Sequence, residues 1–508
     1  MVFSYLRRRA LALMAGSPYK YMPLHGDGVQ TQHPRPTSWF NRNIVAIRLA
    51  MVVLLSITIT FFSLGFMQSI ATQPCSGVSR DRHCRTEVTR SWGQYSSSFT
   101  VPSKISPSVP EGCEVTFAQL LARHGARDPT EHKSSAYAAV VDRIHDNVTQ
   151  YGKDFKFIKD YKYTLGADQL TPFGEQQMVD SGLIFHKRYQ PLASINLPFL
   201  RASGQERVVE SAKKWAEGFH EARLGEKHSH VPDTYPYNIL VIPEEDNFNN
   251  SLSPNICPAF EDSRYDSHDE QGNWLNRFGP PITDRLNENL PGANLSDQET
   301  IHMMDLCPFN TVANEKGKLS EFCYLFTVDE WHDYDYYQSL GKWYGYGNGS
   351  PLGPTQGVGF VNELLARLTG KPVVDDTTTN STLDESPATF PLDRVLYADF
   401  SHDNDMVDIF AALGLHNLTD SLPGDRRMSA DEAKGFSASW VVPFASRLYV
   451  EKMSCGRSDE EFVRILVNDR VIPLQNCGVD DFGRCTLGKF VESQSFARNG
   501  GHWNKCFV

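Results

Sequence analysis

The chain has 508 residues, 49 Lys and Arg against 61 Asp and Glu, and 40% hydrophobic content. That length suits one large enzyme with an inserted subdomain, or roughly two or three ordinary domains; aromatic content of 11% and charged content of 22% exclude a disordered or collagen-like chain. The net charge of -12 speaks against a nucleic-acid partner, but a local basic pocket for a small polyanion remains open.

In chain order, residues 1–48 form a polar basic tail with a net charge of +6, so the other 460 residues carry -18. Residues 49–71 (LAMVVLLSITITFFSLGFMQSIA) are uncharged. As a helix they rise about 35 Å, enough for a hydrocarbon core. With basic residues on the N-terminal flank they are expected to form a single transmembrane signal anchor. That makes a type II membrane protein whose remainder is extracellular or lumenal. Secretion after cleavage near Ala71 is the alternative, because Ser69-Ile70-Ala71 resembles a small-residue cleavage site.

Residues 72–112 read as an irregular N-terminal arm rich in Ser and Pro. Glu114–Leu121 (EVTFAQLL) reads as a buried strand running into Arg123-His124-Gly125-Ala126-Arg127-Asp128-Pro129. Residues 134–150 show helical spacing of apolar positions, and Thr171-Pro172 opens another helix. Leu197–Ala202 is a short extended run, followed by a helix from about Gln205 with one apolar face. Residues 245–345 are dense in acidic, amide and aromatic residues and are expected to form a mostly helical inserted subdomain. Residues 371–391 are a polar loop, and Val395–Phe400 is a second buried strand, ending at Ser401-His402-Asp403 and followed by a helix through Leu413. Phe462–Val467 and Arg470–Leu474 read as a hairpin around Asn468-Asp469. Alternating strands and helices predict an α/β sheet flanked by helices over residues 113–508.

All ten cysteines follow residue 71, as expected in an oxidising compartment. Spacing leaves their connectivity open, with Cys75/Cys84, Cys307/Cys323 and Cys477/Cys485 as plausible local pairs. No C-x-x-C or H-E-x-x-H occurs, so no metal site or cofactor is expected. Sequons at Asn147, Asn249, Asn294, Asn348, Asn380 and Asn417 are compatible with a glycosylated surface.

Two polar clusters directly follow buried strands, where ligands bind in open α/β sheets. In the first, Arg123 and Arg127 flank His124 across a glycine. Arginine forks match phosphate bidentately and stay charged, so a neutral imidazole between them can attack a phosphorus whose charge they offset. R-H-G-x-R-x-P arises by composition in roughly one such chain in several thousand. The second cluster, His402-Asp403, gains weight from the first, because phosphohistidine chemistry needs a proton donor for the leaving alkoxide.

RHGARDP followed much later by HD resembles the histidine acid phosphatases. WGQYS, LGADQLTPFGEQQMVDSG, FLRASG, YADFSHDNDMVDIFAALGL, SASWVVPF and NDRVIPL narrow the resemblance to fungal phytases of the 3-phytase type, from about Cys75 to the C-terminus. The resemblance implies a phosphoglycerate-mutase-like α/β domain with a helical insertion. It implies His124 as nucleophile, Asp403 as proton donor, and Arg123, Arg127, Arg201 and His402 as phosphate ligands. It further implies pairing of Cys75–Cys84, Cys113–Cys455, Cys257–Cys506, Cys307–Cys323 and Cys477–Cys485. Gln94, Tyr95, Thr130, Lys133, Lys156, Lys159, Lys318 and Lys342 match positions resembling a phytate pocket. The chain departs from the pattern at Asp128, where relatives commonly carry Tyr, in the lysine-poor SSAYAAV of residues 134–140, and at Gly341 before Lys342. Fewer cations imply phytate hydrolysis with relatively broad phosphomonoester acceptance at acidic pH. The alternatives are a broad acid phosphatase, an inositol polyphosphate phosphatase or, from another class, a catalytically dead glycosylated surface protein.

Overall fold

The computed structural model describes residues 82–225, 234–263, 267–456 and 459–508. The tail of residues 1–48, the apolar segment 49–71 and Cys75 of the expected Cys75–Cys84 pair lie outside the described residues. Among the described residues no helix is long and apolar enough to cross a membrane.

The sheet has the order β3-β2-β4-β1-β5-β6-β7, with β8 (Arg484–Thr486) paired to β6. β1 (Cys113–Arg123) lies between β4 (Leu396–Ser401), which is parallel to it, and β5 (Arg447–Cys455), which is antiparallel. β2 (Phe199–Ser203) pairs in parallel with both β3 (Ile239–Ile242) and β4. β6 (Glu461–Val467) and β7 (Arg470–Val471) form the expected hairpin, with Asn468 and Asp469 at φ of 48° and 68°, left-handed values that these residues tolerate better than most. The four parallel strands therefore end along one edge.

The helices follow from local signals. α1 (Glu131–Asn147) buries Tyr137, Val140, Val141 and Ile144 at helical spacing. α2 (Pro172–Arg188) starts with proline at its first turn, and the Thr171 side chain accepts from the Gly174 amide. α3 (Glu206–Leu224) buries Val208, Ala212, Trp215, Ala216 and Phe219 and packs on α2. Between residues 245 and 345 lie α4 (Ser267–Asn289), α5 (Asp297–Val312) and α6 (Val328–Gly345), and no strand falls there among the described residues. α5 and α6 both open with reciprocal capping boxes, Ser296/Glu299 and Thr327/Glu330. α7 (Val358–Thr369) and α8 (Asp403–Ala412) complete the set used below. One expectation needs correction: Arg82–Thr89, inside the presumed irregular arm, is an α-helix.

Among the described residues four disulfides are present: Cys113–Cys455, Cys257–Cys506, Cys307–Cys323 and Cys477–Cys485. The first two join residues 342 and 249 positions apart, closures that remove much chain entropy from the unfolded state. Cys113 and Cys455 face each other in the β1–β5 register.

Candidate active site

Each parallel strand delivers residues at its carboxyl end to one inner chamber of about 410 Å³. After β1, Arg127 lines the chamber, while Arg123 and His124 just before it are fully buried and do not themselves line it. The Arg207 carried by the first turn of α3 follows β2. Glu244 follows β3, and His402 with Asp403 follows β4. This is the edge at which open α/β sheets receive ligands. The turn after β1 is held tightly: the Gly125 amide donates to Ser211 Oγ (3.1 Å) and the Ala126 amide to Gln177 Oε1 (2.9 Å). Gly125 is required, because a Cβ there would collide with the backbone carbonyl of Gly174 at the start of α2.

His124 is fully buried, its ring 5.6 Å from that of His402 and 6.2 Å from Phe444. Its Nδ1 lies 2.8 Å from the Gly125 carbonyl, which fixes the proton on Nδ1, while Nε2 has no partner among the described residues. Burial, then the charges of Arg123, Arg207, Arg127 and His402, hold its pKa well below the usual imidazole value. The imidazole therefore keeps an unshared lone pair on Nε2 into acid conditions.

Three arginines surround it, each with donors that have no partner among the described residues. Arg123, fully buried, donates to the Gln94 and Val442 carbonyls and lies over the Phe444 ring at 4.5 Å. Its NH2 stands 3.4 Å from Asp403 Oδ1, and its Nε is unpartnered. Arg127 donates through NH1 to the Asp128 carbonyl (2.8 Å), and its buried Nε is unpartnered. Arg207 donates to Asp168 Oδ1 at 3.3 Å, again with a buried unpartnered Nε. Burial and neighbouring positive charge lower Arg123 and Arg207 to about 10, the mark of cations crowded together without full neutralisation. Such a cluster is complementary to an anion.

Asp403 opens α8 and is clamped from both sides: Oδ1 by Arg123, and Oδ2 by Lys342 Nζ at 2.6 Å, which also donates to Asn404 Oδ1. Burial pushes its carboxyl up, but Arg123 and Lys342 outweigh it and hold it well below the usual range. His402 Nε2 lies 3.0 Å from Glu244 Oε1. Burial raises Glu244, but the His402 hydrogen bond and charge prevail and bring it to about 2. That carboxylate orients the His402 ring, and sequence reading missed it because 158 residues separate the two.

Arg201 is a correction. It sits inside β2, opposite Asp399 in the register, and its guanidinium donates to Asp399 (2.9 and 3.1 Å) and Glu363 (2.6 Å). Arg367 joins from α7 through a 2.6 Å bond to Asp399. The cluster is buried and Arg201 lines neither chamber, whereas Arg207 lines the inner one. The available signal was position: a residue in the first turn beyond a parallel strand reaches the carboxyl edge, whereas one inside the strand does not.

A second, outer chamber of about 700 Å³ adjoins the first, sharing Gln94, Tyr95, Lys342 and Tyr346. Gln94 donates to Gln338 Oε1 (2.8 Å), and Thr130 lines the inner chamber. Lys133 donates to Tyr95 Oη (2.9 Å) and Asp305 Oδ2 (3.3 Å), and Asp305 also accepts from Tyr137 and Tyr334. Lys156, Lys159 and Lys318 are corrections: all three are exposed and line neither chamber. The 3₁₀ segment Lys153–Asp160 buries Phe155 and Ile158, which turns both of its later lysines to solvent. Asp128 lines neither chamber and packs beside Gly166.

A buried imidazole with a free nitrogen, ringed by arginines at the carboxyl edge of a mostly parallel sheet, defines an α/β protein built to receive a phosphoryl group. The chain belongs to the histidine phosphatase superfamily (branch 2), whose profile matches residues 114–468. It is 52% identical over 445 residues to Phytase A of Emericella nidulans, covering 86% of this chain and 95% of that protein. To Phytase A of Aspergillus oryzae it is 50% identical over 440 residues, covering 86% and 94%. The fold is shared with the crystal structure of the phytase from D. castellii (TM-score 0.65, 20% identity, 81% of this chain and 85% of that one). It is also shared with the Bifidobacterium longum multiple inositol polyphosphate phosphatase in complex with inositol hexasulfate (TM-score 0.55, 14% identity, 78% and 96%).

Proposed function

We propose that the protein hydrolyses phytate and other phosphomonoesters through a phosphohistidine intermediate. The observation that carries this reading is the unpartnered Nε2 of a neutral, buried His124 among three arginines with spare donors. Nε2 attacks phosphorus as the ester P–O bond breaks; Arg123, Arg127, Arg207 and His402 hold the non-bridging oxygens. Asp403 gives its proton to the leaving alkoxide. As a carboxylate it then takes a proton from the water that attacks the phosphohistidine, and inorganic phosphate leaves with His124 restored.

Phytate as substrate is supported by the Phytase A relatives. Breadth is supported by the outer chamber, whose lysines are already committed: Lys133 to Asp305, Lys342 to Asp403. Ala136 and Gly341 line the same chamber and contribute no charge. The expected result is a kcat/KM for phytate within about tenfold of that for an aryl phosphate; a much larger preference for phytate removes the claim of breadth.

The ionised state of Asp403 in the free enzyme sets the pH dependence. A bound phosphate dianion competes for Arg123 and Lys342 and raises the carboxyl, so the donor is protonated only on the acid side. Turnover is expected to peak below neutrality. Lys342→Met takes away a charge that lowers Asp403, so the alkaline limb of kcat should move upward by about one pH unit. A maximum above neutrality, or a limb moving the other way, would remove Asp403 from its role.

The four disulfides support an oxidising compartment for the enzyme, whether residues 49–71 anchor it or are cleaved near Ala71. Asn294 and Asn417 are exposed and suit glycans; Asn147 is exposed too, but its amide donates to the Arg143 carbonyl at 2.9 Å. Asn249 suits one poorly, since its amide donates to both the Thr377 and Thr379 carbonyls. The Asn348 amide donates to Leu415, and Asn380 caps a helical turn.

A further inference from the structure

The outer chamber carries two imidazoles where it lacks free lysines. His132 stands in the first turn of α1, exposed, and His302 stands on α5; both line the chamber with Lys133, Ala136, Gly341 and Lys342. The His302 ring meets Tyr137 edge-on at 5.3 Å, and its buried Nδ1 has no partner among the described residues. The two lysines of the chamber are each held by a carboxylate, Lys133 by Asp305 (3.3 Å) and Lys342 by Asp403 (2.6 Å). A polyphosphorylated ring seated with one phosphate at His124 must place others toward this chamber, because the two spaces share a wall at Gln94, Tyr95 and Lys342.

We infer that His132 and His302 are acid-charged contacts for the peripheral phosphates of a polyphosphorylated substrate, so that preference for such substrates switches on as pH falls. This deepens the phytate reading and rests on it. The groups facing His302 are Asp305 and Glu299 on its own helix and Lys133 and His132 from α1. Tyr337 and Lys342 line the chamber from α6, and Glu299 is itself engaged by Arg143 at 2.6 Å. His132 has Glu131 and Lys133 as chain neighbours and His302 across from it. Burial, with Lys133 and His132 adding to it, lowers His302 despite Asp305 and Glu299. Its charge is therefore absent at neutrality, and a bound polyanion favours its return. An imidazole gives what a fixed lysine cannot, a charge gained in acid and lost above it.

The test uses the full chain and myo-inositol hexasulfate, a probe that is not a phosphomonoester and whose own charge does not change over the imidazole range. At about pH 5 the double variant H132Q/H302Q is expected to bind about fivefold more weakly than the parent by calorimetry, and equally at about pH 7.5. His132→Gln alone, an exposed position that leaves the fold undisturbed, should give part of that difference. Identical affinities at the lower pH, or the same ratio at both, overturn the inference. Phosphate release from phytate by the unaltered enzyme is measured separately: its absence overturns the phytate reading, while the hexasulfate titration still decides the histidines.

Discussion

Replacing His124 by alanine is expected to abolish phosphate release, by on the order of 10⁴-fold or more, with folding intact. The neighbouring imidazole and carboxylate are engaged elsewhere. His402 is oriented away from that role by Glu244 at 3.0 Å, and Asp403 is clamped by Arg123 and Lys342. The loss should be in kcat rather than in binding, because the arginines that hold the substrate remain. Loss of the imidazole removes a buried ring whose Nε2 has no partner among the described residues but whose Nδ1 bonds the Gly125 carbonyl, so a modest fall in melting temperature is expected beside the large kinetic loss. The measurement is twofold: phosphate release under saturating substrate, and trapping of acid-labile phosphoenzyme after rapid quench. An alanine variant that keeps more than about a tenth of the activity, or still traps labelled phosphate, would falsify the assignment.

The parts of this site that the sequence exposed were those where a buried strand stops against a polar cluster. β1 into RHGAR and β4 into SHD announce themselves, since apolar runs end abruptly at residues that do chemistry. Arg201 entered only through the family resemblance, and β2 continues two residues past it to Ser203, which keeps it inside the sheet. Its partners Asp399 and Glu363 come from β4 and α7, 198 and 162 residues away, and no local pattern reveals them. All five lysines were proposed through the resemblance alone; Lys133 and Lys342 lie on helices that wall the outer chamber, whereas Lys156, Lys159 and Lys318 sit on segments that face solvent, a difference no local pattern records. The short disulfides could be proposed from spacing; Cys113–Cys455 and Cys257–Cys506 could be proposed only through the family resemblance.

The contrast between Arg201 and Arg207 gives the second large effect, and the two should fail in different ways. Arg201→Gln leaves Asp399 and Glu363 buried with one cation, Arg367, for two carboxylates. Asp399 is held below the usual range against burial by Arg201 first and Arg367 second, so losing the stronger partner strands charge in the core. Breaking a buried pair from one side costs about 3–5 kcal/mol. The variant should therefore show an earlier unfolding transition, while molecules still folded retain near-normal KM. Because Asp399 is depressed in the folded state, its contribution is present above the unfolded carboxylate pKa and fades as pH falls through the folded value; the variant's deficit should thus shrink in strong acid. Arg207→Gln removes a guanidinium whose ion-pair partner is a half-exposed Asp168 at 3.3 Å, so stability should scarcely move. Its loss from the anion cradle should instead lower kcat/KM by about 10²–10³-fold, the range for deleting one preorganised donor to a developing charge. Thermal denaturation and steady-state kinetics on the same two preparations decide the matter. If Arg201→Gln lost activity at an unchanged melting temperature, or if Arg207→Gln unfolded early with normal kcat/KM, the positions of the two arginines in this mechanism would have to be exchanged.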